Sequence, residues 1–135
     1  MRIIVLAVGR LRPPYADDVQ HYLKLLGRHA HVQTIEVRDD DRVAGRIPAR
    51  AYVSLLDRGG EAFDSLSFSR FVEARRRSGR DLCFVIGGPL GLQLDAVDHR
   101  FSLGPLTLPH QLARVVLLEQ LFRAHKILAG ETYHH

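Results

Sequence analysis

Apolar residues in this chain come in short dense bursts, separated by polar stretches that hold most of its glycine and proline. Residues 2–8, Arg-Ile-Ile-Val-Leu-Ala-Val, make the first burst. A continuous aliphatic run of that length predicts a strand buried on both faces, ended by Gly9. After Pro13-Pro14, the positions Val19, Tyr22, Leu23 and Leu26 recur at helical spacing, and Gly27 supplies a stop. Val32, Thr34, Ile35 and Val37 predict a second strand. Residues 38–50 are charged, hold Gly45 and Pro48, and read as a surface loop. Residues 51–56 predict a third strand closed by Asp57-Arg58-Gly59-Gly60. Ser67 fits the N-cap of a helix running through Arg77 and stopped at Ser78-Gly79. Beyond it, residues 82–86 predict a fourth strand, residues 94–99 a short helix, and residues 106–108 a fifth strand.

The last helix is predicted from about residue 110 to 129, with Pro109 at or near its first position and Gly130 past its end. Glu119 and Arg123 stand in the favourable i,i+4 order. Leu112, Val115, Leu117, Leu118, Leu121, Phe122 and Leu128 cover more than one stripe. A helix this apolar around its circumference is expected to be buried on two sides, by the core and a second copy of the chain, the alternative being a deeply buried helix of a monomer. Strands alternating with helices predict an α/β fold with a mostly parallel sheet. The 135 residues fit a single domain, 1–135, with no repeat or linker.

Composition narrows the class. With 46% hydrophobic and 25% charged residues the chain reads as an ordinary globular protein. No run approaches the roughly 18 apolar residues of a membrane helix, so no membrane partner is expected. The first burst lacks a cleavage pattern and fits a strand better than a signal peptide. One cysteine, Cys83, allows no internal disulfide and suits a reducing cytoplasm; inside an apolar strand it reads as a core thiol. A net charge of +4 and a pI near 9.7 lean toward a polyanionic partner such as nucleic acid. The densest cluster, Arg75-Arg76-Arg77 with Arg80, is either a phosphate-contacting patch or a solvated helix end favoured by the macrodipole. His21, His29, His31, His99 and His125 lack metal-ligand spacing and read as surface residues, so no metal is expected.

The chemistry concentrates in two segments. Phe84-Val85-Ile86-Gly87-Gly88-Pro89-Leu90-Gly91-Leu92 runs a strand into a glycine turn, and Leu106-Thr107-Leu108-Pro109-His110 ends at the start of a helix. Together they read as walls of one pocket. A phosphate-binding P-loop needs Lys and Ser/Thr after its glycines, and the dinucleotide fingerprint needs G-x-G-x-x-G after the first strand. Neither occurs, and Pro89 removes a donor. Apolar walls with a few backbone hydrogen bonds suit a flat or thioether-bearing neutral ligand better. Read alone, the glycine segment fits a tight strand-to-helix turn better than a binding loop.

The order Leu6-Ala7-Val8-Gly9, Leu56-Asp57, Val85-Ile86-Gly87-Gly88-Pro89 with Gly91-Leu92, Leu106-Thr107-Leu108-Pro109-His110 and Tyr133-His134 resembles the RlmH family of ribosomal RNA large-subunit methyltransferases, in the SPOUT superfamily. The resemblance spans nearly the whole chain. It implies an α/β-knot fold with a C-terminal trefoil knot, and a cytoplasmic homodimer. That homodimer would use S-adenosylmethionine to methylate N3 of a pseudouridine in 23S rRNA on the assembled ribosome. Carried over residue by residue, the cofactor would be held by Leu56, Gly88, Gly104, Pro105, Leu106, Thr107, Leu108 and Pro109.

The N3 proton must leave during transfer. His134 and His110 are the candidates to accept it, and Tyr133 to stack on or orient the base. Helix-start capping or packing is an equal reading of His110, and a frayed tail is the alternative for His134 and His135. Arg114 and His135 are the candidate RNA contacts, Arg114 otherwise meeting a partner subunit. Two departures stand out. The family usually carries a longer segment, with a helix, where residues 38–50 lie here. Its chain also tends to continue Tyr-His-Arg or Tyr-His-Lys where this one has Tyr133-His134-His135. These departures leave open a non-catalytic RNA-binding or assembly factor on the same fold; a methyltransferase acting on another RNA is a further alternative.

Overall fold

The computed structural model describes residues 1–89 and 91–132. Its five strands are β1 (Arg2–Val8), β2 (His31–Val37), β3 (Tyr52–Ala62), β4 (Leu82–Ile86) and β5 (His99–Ser102). The helices are α1 (Tyr15–Leu26), α2 (Ser65–Ser78) and α3 (His110–Leu128). All strand pairs are parallel, in the order β2-β1-β4-β3-β5.

The central strands explain the layers. β1 and β4 have neighbours on both sides and alternate their side chains between two cores. Ile3, Val5 and Ala7 of β1, with Leu82, Phe84 and Ile86 of β4, meet Val19 and Leu26 of α1, Phe68 and Val72 of α2, and Leu117, Leu118 and Leu121 of α3. Ile4, Leu6 and Val8, with Cys83 and Val85, face the opposite layer. Among the described residues that layer has no α-helix. Val43 and Ile47 of the β2–β3 connection cover it, with Leu92, Leu94 and Val97 of the β4–β5 connection. The segment read as a loop at 38–50 contains two single 3-10 turns, Asp40–Arg42 and Ala44–Arg46.

Several sequence expectations are corrected here. Residues 94–99 form no helix: Leu94 and Val97 have helical spacing but pack as isolated contacts under the sheet, and His99 already begins β5. Residues 106–108 form no strand, and the fifth strand is β5 itself. β3 does not stop at Leu56 but runs on to Ala62. The N-cap of α2 is Asp64, whose carboxylate accepts from the Ser67 amide at 2.7 Å. Ser67 answers by accepting from the Asp64 amide at 3.0 Å, a reciprocal capping box.

The Arg75–Arg77 run resolves as a helix end. Arg76 and Arg77 both pair with Glu73, at 2.7 and 3.2 Å, and the Arg75 guanidinium lies 4.1 Å over the Tyr52 ring. Glu119 and Arg123 pair at 3.0 Å as their spacing requires. Among the described residues no helix is long and apolar enough to cross a membrane.

Two of the five histidines read as surface groups are not. His99 stacks on Phe71, ring centroids 4.7 Å apart. His125 is only 8% exposed, and its Nδ1–H donates to the Leu121 carbonyl at 2.8 Å. Burial holds His125 below its ordinary value of 6.5, with the charges of His29 and Arg76 acting in the same direction. The folded state therefore keeps His125 neutral where the unfolded chain binds a proton. Stability should be fully present above pH 6.5 and fall as the pH drops below it, by up to about 1.4 kcal/mol per pH unit. Denaturant titrations of wild type and His125→Gln on both sides of that value should show the shallower acid loss in the variant. Parallel curves would place the acid sensitivity elsewhere.

Candidate active site

The carboxyl ends of β3, β4 and β5 open into a cavity of about 670 Å³, closed on one side by the first turn of α3. Ligands of open parallel sheets bind at these ends because the backbone there is released from pairing. β4 contributes Ile86, Gly87 and Gly88, followed by Pro89, Gly91 and Leu92. β5 leads into Ser102, Leu103 and Gly104, and the segment 106–109 forms the facing wall. Gly87 has no room for a side chain, since a Cβ there would lie 2.5 Å from that of Leu92. The two loops expected to face one another do line one cavity.

The third wall comes from an excursion in β3. Leu56 and Glu61 both lie opposite Phe101 of β5, so residues 57–60 are looped out of the ladder. Gly60 is needed for the return, because a Cβ there would sit 2.6 Å from the backbone of Arg100 and Phe101. His99 clips both limbs. Its Nδ1 meets the buried Ser54 Oγ at 2.7 Å and its Nε2 meets Glu61 Oε1 at 2.8 Å. The Gly59 amide donates to Asp57, which first of all holds the Asp57 carboxyl below its ordinary range, and Arg100 pairs with it at 3.0 Å in the same direction. Asp57 and Arg58 thereby reach the cavity wall.

The fourth wall is fixed by Arg114. This side chain is 4% exposed and its Nη2 donates to the carbonyls of Val8 and Gly9, at 3.0 and 2.6 Å. Nη1 pairs with Glu36 of β2 at 2.7 Å. One guanidinium thus ties the first turns of α3 to the ends of β1 and β2. One turn earlier, His110 lines the cavity. Partial burial, then the charges of Arg114 and Arg12, hold His110 below its ordinary value of 6.5, so its imidazole is neutral at neutral pH and free to accept a proton.

Of the residues expected to hold a cofactor, Leu56, Gly88, Gly104, Leu106, Thr107, Leu108 and Pro109 all line this cavity, and Pro105 does not. Gly88 is backed by the β2–β3 connection, its amide donating to Asp40 Oδ1 at 3.4 Å. Arg114, expected to contact RNA or a partner subunit, is buried here, its guanidinium held by Val8, Gly9 and Glu36. Tyr133, His134 and His135 lie outside the described residues. Sequence reasoning missed Asp57, Arg58, Gln93, Ser102 and Leu103 on the cavity wall. The paired Gly59-Gly60 was the available signal, read as a strand end when it marks a return. Among the described residues no cluster of three His, Cys, Asp or Glu side chains is placed to hold a metal.

The family model described as "Predicted SPOUT methyltransferase" matches residues 1–134. The chain is 46% identical to a Rubrobacter xylanophilus protein named ribosomal RNA large subunit methyltransferase H, over 98% of each chain. Proteins of the same name from Gemmatimonas aurantiaca and Ruminiclostridium cellulolyticum are 37% and 38% identical, over 99% of each chain. The alignments run over 153 to 158 positions against 135 residues here, so these relatives carry residues that this chain lacks.

Replacing Arg114 by leucine should leave the Val8 and Gly9 carbonyls without a partner and cost about 3 kcal/mol of unfolding free energy. Equilibrium urea denaturation reads this directly. A loss below about 1 kcal/mol, the range of an exposed ion pair, would show that the tie is not structural.

Proposed function

The chain belongs to the SPOUT methyltransferase family, and from that premise we propose that it transfers a methyl group from S-adenosylmethionine to N3 of a pseudouridine in 23S rRNA. The substrate form is the large subunit or whole ribosome, and the working unit is a homodimer in the cytoplasm. The reading includes a C-terminal trefoil knot. The return of α3 from the edge strand β5 to pack against both α1 and α2 supports that topology.

The observation that carries the proposal is the convergence of the donor-holding residues on one cavity at the sheet's carboxyl ends. That cavity also fits the donor's chemistry. Its volume of about 670 Å³ falls within the range of small-molecule sites. Among the described residues, the backbone N–H and C=O groups of Leu106, Thr107 and Leu108 make no hydrogen bond, which suits the edge of a heterocycle. Leu106 is 77% exposed on this wall, an apolar surface that an adenine face would cover.

When bound, S-adenosylmethionine supplies an electrophilic methyl group for in-line displacement, so the protein's contribution is chiefly positioning. Leu56, Leu106 and Leu108 pack the flat part of the donor, while Gly88 and Gly104 let the backbone approach it. Pro109 sets the turn by which the wall enters α3. His110, neutral and on the cavity wall, is one acceptor for the N3 proton and His134 the other. Tyr133 stacks on the target base and His135 meets RNA. Withdrawing the N3 proton converts a poor nucleophile into an anion next to the methyl group.

Mass spectrometry of large-subunit rRNA from a strain lacking this protein tests the reading. The expected result is the loss of one methylated pseudouridine, restored when the mutant ribosomes are incubated with the purified protein and labelled S-adenosylmethionine. An unchanged rRNA modification profile, with no label transferred, would overturn it and leave a non-catalytic role on the same fold.

A further inference from the structure

Of the sources of RNA contact offered by the sequence, His135 lies outside the described residues, and the fold engages the other two, Arg114 and the Arg75–Arg80 cluster, in contacts of its own. Arg114 is buried, Arg76 and Arg77 share Glu73, and Arg80 donates to the carbonyls of Arg50 and Ala51. Besides Arg28, Arg46, Arg50 and Arg70, four further arginines keep uncommitted guanidinium groups among the described residues, and these four share one edge of the sheet. Arg38 follows the last residue of β2, Arg10 and Arg12 follow β1, and Arg58 sits in the excursion of β3. All four are exposed, and among the described residues none of their guanidinium groups makes a hydrogen bond or ion pair.

The order β2-β1-β4-β3 places these cations in a row across the carboxyl edge of the sheet, with the glycine loop after β4 in the middle. Three strand spacings of about 4.8 Å span roughly 14 Å. A nucleic-acid strand carries about one charge per 3.4 Å of axis, so that length presents about four phosphates. Of the carboxylates beside this edge, Asp41 has no cationic partner among the described residues, and three others are taken by arginines outside the row. Glu36 pairs with Arg114, Asp39 with Arg42, and Asp57 with Arg100, while Asp40 faces the Gly88 amide.

The row is also held in place. Gln111, the second residue of α3, accepts from the Arg12 amide at 2.8 Å and donates to the Arg10 carbonyl at 3.1 Å. This pins the 10–12 segment against the helix that carries His110. Ordering of this kind reduces the entropy lost when a backbone contact forms.

We propose that Arg10, Arg12, Arg38 and Arg58 form the phosphate track on which the RNA backbone lies across the cavity mouth, delivering one base to the site. This rests on the reading of the substrate as ribosomal RNA. The track contacts phosphate and carries no sequence information, so it sets affinity and register while the pocket selects the base.

Co-sedimentation with large ribosomal subunits from a strain lacking this protein, over a range of salt concentrations, tests the track. A variant with Arg10, Arg12 and Arg38 changed to alanine should bind subunits at least about 10-fold more weakly at low salt, and its salt slope should fall by about two to three. Its affinity for S-adenosylhomocysteine, measured by calorimetry, should stay at the wild-type value, which also reports that it is folded. Arg58→Ala should weaken subunit binding in the same direction, whereas a double Arg28→Ala and Arg70→Ala variant, which removes exposed arginines elsewhere, should bind as wild type. If the triple variant keeps wild-type subunit affinity, or if the Arg28 and Arg70 changes cost as much, the track is wrong while the methyltransferase reading stands. If the wild-type protein itself binds neither large subunits nor whole ribosomes, both fall.

Discussion

The site depends on one buried charge. Arg114 stands at the start of the last helix, far in sequence from β1 and β2, and its guanidinium joins α3 to the carboxyl ends of both strands. A guanidinium taken out of water must be compensated by partners; here Nη1 and Nη2 are engaged, while the buried Nε–H has no partner among the described residues. The two carbonyls it uses are those released at the end of β1, where Gly9 turns the chain with a φ of 98°. Without that tie, the first turn of α3 has no fixed relation to the sheet. His110, the 106–109 wall and the Arg10–Arg12 segment held by Gln111 would then lose their common reference.

The sheet's asymmetry explains why function collects where it does. All three helices cover one face, and the other face is covered by irregular connections with two short 3-10 turns. Irregular segments carry backbone groups that a regular element would consume. The connections after β4 and β5 and the β3 excursion therefore meet at the carboxyl edge with polar backbone available. His99 stabilises this arrangement from inside, holding Ser54 and Glu61 on either side of the looped-out residues.

Much of this was legible in the chain. β1 and β4 declare themselves because strands buried on both faces must be continuously apolar, and α1 and α3 follow from spacing and from the proline and glycine at their ends. β5 was not legible. His99-Arg100-Phe101-Ser102 lies at the sheet's edge and buries only Phe101 and Ser102, so no alternation reaches the sequence. The Leu106-Thr107-Leu108 pattern misled for the opposite reason: it alternates like a strand, but Leu106 faces the cavity and solvent rather than a core.

The candidate cofactor residues rest on resemblance to a known family, and the cavity gathers all of them except Pro105. Arg114 could not be assigned from sequence, because a charged residue on a helix reads as surface until the fold shows which carbonyls await it.

The central claim is that the loop 104–109, with Leu56 and Gly88, holds the methyl donor. Calorimetric titration of S-adenosylmethionine into wild type and Leu106→Ala tests it most directly. Leu106 is exposed, so its truncation should leave the unfolding midpoint almost unchanged. Loss of its contact with the adenine should weaken binding about 10-fold. Equal affinity in the two proteins, or no binding by wild type, would contradict the account.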